Sequence, residues 1–200
     1  MTELGAWRYR LGMRTRSQAV ALAVAVIATL TLCGCVPPSP PVIPTAVPTA
    51  TPIFASDADA LAAAKKAFTG YLRESDVISD VGGSDPQRIA PFVTKKWLSS
   101  ELKSYAKLEK SGDRFTGAMA FDEFTLQSRV VNRQQVAAVV TYVCVDVSNN
   151  RLLDPSGLDI TPPSRRDKYA VVATFESAAP ATSDLLYGGS VPWSGRSFCS

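Results

Sequence analysis

The side chains best placed for acid–base chemistry are Asp122, Glu123, Tyr142, Asp146 and Tyr169, all in segments with strand character. Tyr142, Cys144 and Asp146 are spaced by two, so on a strand they share one face. A buried Asp–Tyr pair of that kind can serve as acid and base. Asp146, however, is soon followed by Ser148-Asn149-Asn150, turn chemistry that puts it at a strand end in water. Asp122 and Glu123 are adjacent, so alternation sends one inward unless the strand bulges there. An inward Asp122 would share its face with Ala120, Phe124 and Leu126. The chain contains no histidine. That removes the commonest general base and zinc ligand, and with them any Ser-His-Asp or Cys-His arrangement. Ser194 in PWSGR lacks the Gly-x-Ser-x-Gly setting of a nucleophile elbow. Gly82-Gly83 and Gly188-Gly189 read as turns, not as phosphate loops. The expectation is a chain without catalytic residues, cofactor or metal.

Four cysteines remain, at 33, 35, 144 and 199. The first two follow an arginine-rich start (Arg8, Arg10, Arg14, Arg16) and an apolar run, residues 19–32. At about 1.5 Å per residue that run reaches roughly 21 Å, short of the ~30 Å hydrocarbon layer. A basic, then short apolar, then small-residue order is that of a secretory signal; the alternative is an uncleaved anchor. Leu32-Cys33-Gly34-Cys35 resembles the lipobox of bacterial lipoproteins. The resemblance implies a diacylglyceryl group on the Cys35 sulfur and cleavage that leaves Cys35 as the amino terminus. Cys33 fits that role badly, because bulky Leu32 precedes it. Residues 37–52 hold seven prolines (37, 38, 40, 41, 44, 48 and 52). Such a run favours polyproline II, about 3.1 Å per residue and roughly 50 Å in all, and reads as a tether. The expected organisation is signal peptide 1–34, lipidated Cys35 and tether 35–55, and a folded domain 56–200.

Charge agrees with an exported domain that binds no nucleic acid. Of 21 basic and 18 acidic side chains, the first 34 residues hold four arginines and one glutamate. Seventeen of each sign remain, a neutral mature chain without the basic patch a phosphate backbone needs. In an oxidising compartment Cys144 and Cys199 are expected to pair, with the last strand lying beside the strand of Cys144. Closing a loop of about 55 residues is worth roughly 4 kcal/mol in the chain-entropy account.

The elements that position these residues follow from periodicity. Ser56 with Asp57 and Asp59 starts a helix, and Leu61, Ala64, Phe68 and Leu72 give its stripe, so a helix is predicted over Asp57–Asp80. A short helix over 86–90 ends at Pro91. Thr94 caps a third helix over 95–110, with Trp97, Leu98, Leu102, Tyr105 and Leu108 as its apolar face and Gly112 as its stop. Strands are expected over 115–131, 136–147, 168–176 and 185–199, with a hairpin turn at 132–135 and a long connection at 149–167. The run AAVVTYVCVDV is apolar on both faces and is expected in a central strand.

Helices first and an antiparallel sheet second make an α+β domain. That order, with the Pro86-Gln87-Arg88-Ile89 to Trp97-Leu98 stretch, resembles the NTF2-like superfamily. It is more particularly similar to extracytoplasmic NTF2-like domains of actinobacterial lipoproteins. The resemblance implies a cone: three N-terminal helices on a curved antiparallel sheet of about four strands. Some superfamily members are isomerases or cyclases with an Asp base inside the cone, but fold alone does not transfer activity. Two stretches suit a binding surface: Arg165-Arg166 beside Pro162-Pro163, and Trp193 to Arg196. The alternatives are a solvated turn for the first and a core aromatic closing the sheet for Trp193. The expected function is a membrane-anchored envelope lipoprotein acting as a binding or scaffold module, with an envelope protein as its partner. The rivals are an isomerase- or hydrolase-type enzyme with a carboxylate in the cone, and an envelope component of a conjugation or secretion system.

Overall fold

The computed structural model describes residues 52–199. Cys33, Cys35, the apolar run and nearly all of the proline-rich stretch lie outside the described residues.

Helix α1 (Asp57–Asp80) starts where Ser56, in extended conformation, accepts the Asp59 amide on its side chain. Its buried stripe is Ala60, Ala64, Phe68, Leu72, Ser75 and Ile78. The Gly83 amide closes the helix on the Ile78 carbonyl at 2.8 Å. Gly83 has φ +86°, and a Cβ there would sit 2.5 Å from the Tyr105 carbonyl oxygen. Only glycine lets the second long helix come so near. A 3₁₀ helix, Pro86–Phe92, follows and contains Pro91. The expected stop at Pro91 is therefore corrected: 3₁₀ geometry carries the turn past it. Thr94 accepts the Trp97 amide and starts α2 (Lys95–Ser111), which ends at Gly112 with φ +72°.

Four strands form the main antiparallel sheet: β2 (Ala120–Val131), β3 (Ala137–Asp146), β5 (Lys168–Ser177) and β6 (Leu185–Pro192), in the order β2-β3-β5-β6. A separate pair joins β1 (Arg114–Thr116) to β4 (Arg151–Leu153). The architecture is α+β, with helices packed against antiparallel sheet. The expected single strand 115–131 is thus two strands, split at Gly117 to Met119. The connection 149–167 carries β4 because Arg114 to Thr116 give it a partner. The 132–135 turn is where it was expected, with the Asn132 side-chain oxygen accepting the Gln134 and Val136 amides.

Strand β3 is central, between β2 and β5. Ala137, Val139, Thr141 and Val143 on its inner face are buried against α1. Phe68 is the hub: its ring meets Tyr71, Phe121, Phe124, Phe175 and Tyr187 at 5.4–6.0 Å. Apolar burial on this scale is the main favourable term in folding.

Strand β6 pairs with β5, not with β3 as the disulfide argument expected. It ends at Pro192, and residues 193–199 leave the sheet. Trp193 and Phe198 then pack their rings on Tyr142, at 5.0 and 5.9 Å, on the face away from the helices. There Cys199 is bonded to Cys144, with Cα atoms 5.4 Å apart. The expected pair forms by a different route: the tail reaches back past β5 to the central strand.

Candidate functional site

The residues first considered for catalysis do not assemble. Phe121 pairs with Val145 and Phe124 with Val143, so two residues of β2, Asp122 and Glu123, stand opposite one of β3. This bulge lets both phenylalanines face the core and turns both carboxylates to solvent. Asp122 pairs with Lys168 at 2.7 Å at the surface. Asp146 lies at the end of β3, where Ser148 donates to it and holds its carboxyl below the usual range. Tyr142 is on the opposite face of the sheet from α1, under Trp193 and Phe198.

The candidate binding surface also divides. Trp193 packs on Tyr142 and donates its indole N–H to the Arg196 carbonyl at 3.0 Å, while Arg166 and the Arg196 side chain are exposed. Arg165 instead folds inward, its guanidinium donating to the Asn150 and Val147 carbonyls at 2.8 and 2.9 Å. Its Nε is buried without a partner among the described residues. Arg165 and Tyr169 line a cavity; Trp193 covers the other face of the sheet.

That cavity, about 520 Å³, opens between α1, α2, β1 and the start of β5. Helix α1 contributes Tyr71, Ser75, Asp76 and Ser79, and α2 contributes Glu101, Ser104, Tyr105 and Leu108. Phe115, Met119 and Tyr169 complete its apolar and aromatic walls. Glu101 is only 8% exposed. Its Oε1 accepts the Trp97 indole N–H at 2.5 Å and the Tyr71 hydroxyl at 3.2 Å. Burial pushes its carboxyl up, and these two donors only partly offset that. Asp76 accepts the Met119 amide at 3.1 Å, yet burial raises it to about 6. The Tyr105 hydroxyl donates to Ser75 at 3.0 Å, and burial pushes it to about 12. Tyr71 is pushed well above its ordinary value by burial and by Glu101. The phenols stay protonated donors, and the two carboxylates sit in a hollow where negative charge is poorly solvated.

Neither carboxylate was singled out in the sequence, although a signal was there. Glu101 is four residues from both Trp97 and Tyr105, in phase with the α2 face expected to be apolar. Asp76 follows Leu72 by four on α1. An acid in phase with a buried stripe marks either a satisfied core group or a site. Another hollow, about 570 Å³, lies between α1 and the 3₁₀ helix. Its walls are alanines, Gly70 and Phe92, and its one ion pair, Lys66 with Asp184 at 3.6 Å, is solvent-exposed. Among the described residues no three His, Cys, Asp or Glu side chains gather as a metal cage, and no helix is long and apolar enough to cross a membrane.

No family profile matches the chain, and no curated protein matches it. Among solved structures, the intermembrane space region of the chloroplast protein ARC6 superposes with a TM-score of 0.47 at 13% identity, over 68% of this chain and 97% of that one. A periplasmic fragment of TraM gives 0.44 at 11% identity, over 69% and 97%. Neither likeness is strong enough to carry an argument about function.

Proposed function

We propose that this chain is a cell-envelope lipoprotein, held by lipid on Cys35 at the extracytoplasmic face of a membrane, whose NTF2-like domain receives a ligand in the Glu101 cavity. The observation that carries the binding reading is Glu101 itself. A carboxylate 8% exposed costs desolvation energy that an apolar residue in the same place would not. Retaining it at the wall of an open cavity fits a site better than a core. The Cys144–Cys199 bond supports an oxidising compartment, and the Leu32-Cys33-Gly34-Cys35 resemblance supports the anchor. The element order, helices first and then an antiparallel sheet, supports the cone.

Two measurements test this reading. Metabolic labelling with a fatty-acid analogue should mark the wild type and Cys33→Ala but not Cys35→Ala; full label on Cys35→Ala overturns the anchor. Native mass spectrometry of the chain purified from membranes should show a bound small molecule that is lost when Ser104→Trp fills the cavity. An unchanged adduct in that variant overturns the site.

A second reading has its own observation. Asp76, raised to about 6 beside the cavity, has the proton affinity of a general base near neutral pH. Under that reading the domain is an enzyme of the isomerase type, working through Asp76 and not through Asp122 or Glu123. Turnover of a ligand recovered from the site, abolished in Asp76→Asn, would replace the binding module with a catalyst.

A further inference from the structure

The chemistry of the cavity walls restricts what can fill it. The hydrogen bonds from Trp97 and Tyr71 both end on Glu101 Oε1. Among the described residues Oε2 accepts none, and Glu101 lines the cavity. Oε2 is not one of the buried partnerless atoms among the described residues, so this oxygen is open to the cavity and can take a donor from whatever enters it. Asp76, on the α1 wall, has the Met119 amide as its one donor among the described residues. The aromatic rings of Tyr105, Phe115 and Tyr169 surround the same space. Carboxylates backed by aromatic faces are the usual surroundings of a bound organic cation. Among the described residues Arg165 is the one cation in the lining; two carbonyls take N–H groups of its guanidinium and Asp167 lies 3.7 Å away, while its Nε is left without a partner.

We propose that the cavity binds an organic ammonium ion with an apolar or aromatic body, its charge held by Glu101 and Asp76 and its body against the tyrosine and phenylalanine rings. This rests on the reading of the cavity as a binding site. A primary ammonium supplies the donors that Glu101 Oε2 lacks. A bare divalent cation fits less well, since it needs more oxygen ligands than two carboxylates on different helices provide.

Binding of a cation is linked to the protonation of Asp76. The titratable and charged groups that share a cavity lining with it are Tyr71 and Arg73 on its own helix, Glu101 and Tyr105 from α2, Arg165 from the loop before β5, and Tyr169 from β5. Burial brings Asp76 to about 6 and also raises Glu101. Loss of the Asp76 charge below that pH weakens attraction for the cation.

The test uses the full chain in detergent, phosphate buffer and three probes of similar shape: phenethylammonium, 2-phenylethanol and 3-phenylpropionate. Titration calorimetry near pH 7.5 should show phenethylammonium binding at least about tenfold more tightly than the alcohol, the scale of one charge-assisted contact. The propionate should not bind. Glu101→Gln keeps an acceptor for Trp97 and Tyr71, and should lose about tenfold or more in affinity while its melting curve stays cooperative. Lowering the pH to about 5 should weaken the wild type several-fold and Asp76→Asn by less, the remainder coming from Glu101, which burial also raises. Equal or tighter binding of the alcohol or the propionate overturns the cation assignment and leaves the cavity reading intact. Phenethylammonium binding that survives Ser104→Trp overturns both. No binding of any probe at millimolar concentration overturns the cation assignment, as does wild-type affinity in both Glu101→Gln and Asp76→Asn.

Discussion

Asp76→Asn should make the ligand-free protein more stable, and only above a definite pH. Burial raises the Asp76 carboxyl from 3.8 to about 6 in the folded chain. Ionisation is therefore harder folded than unfolded, and the charge opposes folding. Below about pH 4 both states are protonated and the opposition is absent; it grows through the interval between the two values and is complete above about 6. A shift of roughly two units corresponds to about 3 kcal/mol for a group shut away from water. Asp76 is only half-buried, and solvent screening reduces this to roughly 1 kcal/mol. Asparagine keeps an oxygen for the Met119 amide, so the hydrogen bond at 3.1 Å need not be lost. Urea unfolding at about pH 8 should place the variant's midpoint ~0.5 M higher, given a typical slope of about 2 kcal/mol/M. At about pH 4 the two midpoints should coincide. A variant less stable than the wild type at pH 8, or an advantage that persists at pH 4, would refute the assignment of Asp76 as a destabilised carboxylate.

Other perturbations report on the scaffold. Thr141 is fully buried in β3, its hydroxyl without a partner among the described residues; Thr141→Val should raise stability by about 1 kcal/mol in urea titration, and a loss would mean the hydroxyl has a partner. Gly117 has φ +87°, and a Cβ there would sit 1.9 Å from the Asn149 carbonyl oxygen. Gly117→Ala should therefore cost about 2 kcal/mol or more and disturb the β1–β4 pair, visible as faster amide exchange at Arg151 and Leu153, which stand opposite Thr116 and Arg114. Phe68→Ala, at the hub of the aromatic cluster, should cost about 3–5 kcal/mol, with calorimetric melting as the check. Replacing both Cys144 and Cys199 by serine should lower stability by up to about 4 kcal/mol and speed amide exchange at Trp193, whose amide donates to the Ala170 carbonyl, as the tail leaves Tyr142; unchanged exchange there would show that ring packing alone holds the tail.

Much of the scaffold was legible because it is written locally. Ser56 with its two aspartates, Thr94, and Gly112 mark helix ends through caps that need only neighbouring residues. The apolar run of β3 announces a strand covered on both sides, and the structure covers it with α1 inside and the 193–199 tail outside. What escaped was non-local. The bulge at Asp122 and Glu123 comes from pairing β2 to β3 with both Phe121 and Phe124 turned inward, a demand set by Phe68 across the core. The neighbour of β6 depends on the course of the 178–184 connection, which the disulfide pairing did not reveal. Glu101 and Asp76 were passed over because an acid on an amphipathic helix normally belongs to the wet face. Their phase placed them on the other one.

The Cys144–Cys199 bond has a mechanical side as well. For a chain pulled at its two ends, the covalent path runs from α1 through β2 and β3 to Cys144, then crosses directly to Cys199. The 55-residue separation between the two cysteines, which contains β4, β5 and β6, carries no load. At about 3.5 Å per residue, roughly 190 Å of contour length is withheld until the bond is reduced. Under tension the helices, β1, β2 and β3 as far as Cys144 are the extensible part of this domain, and the second half of its sheet travels as an unstretched ring.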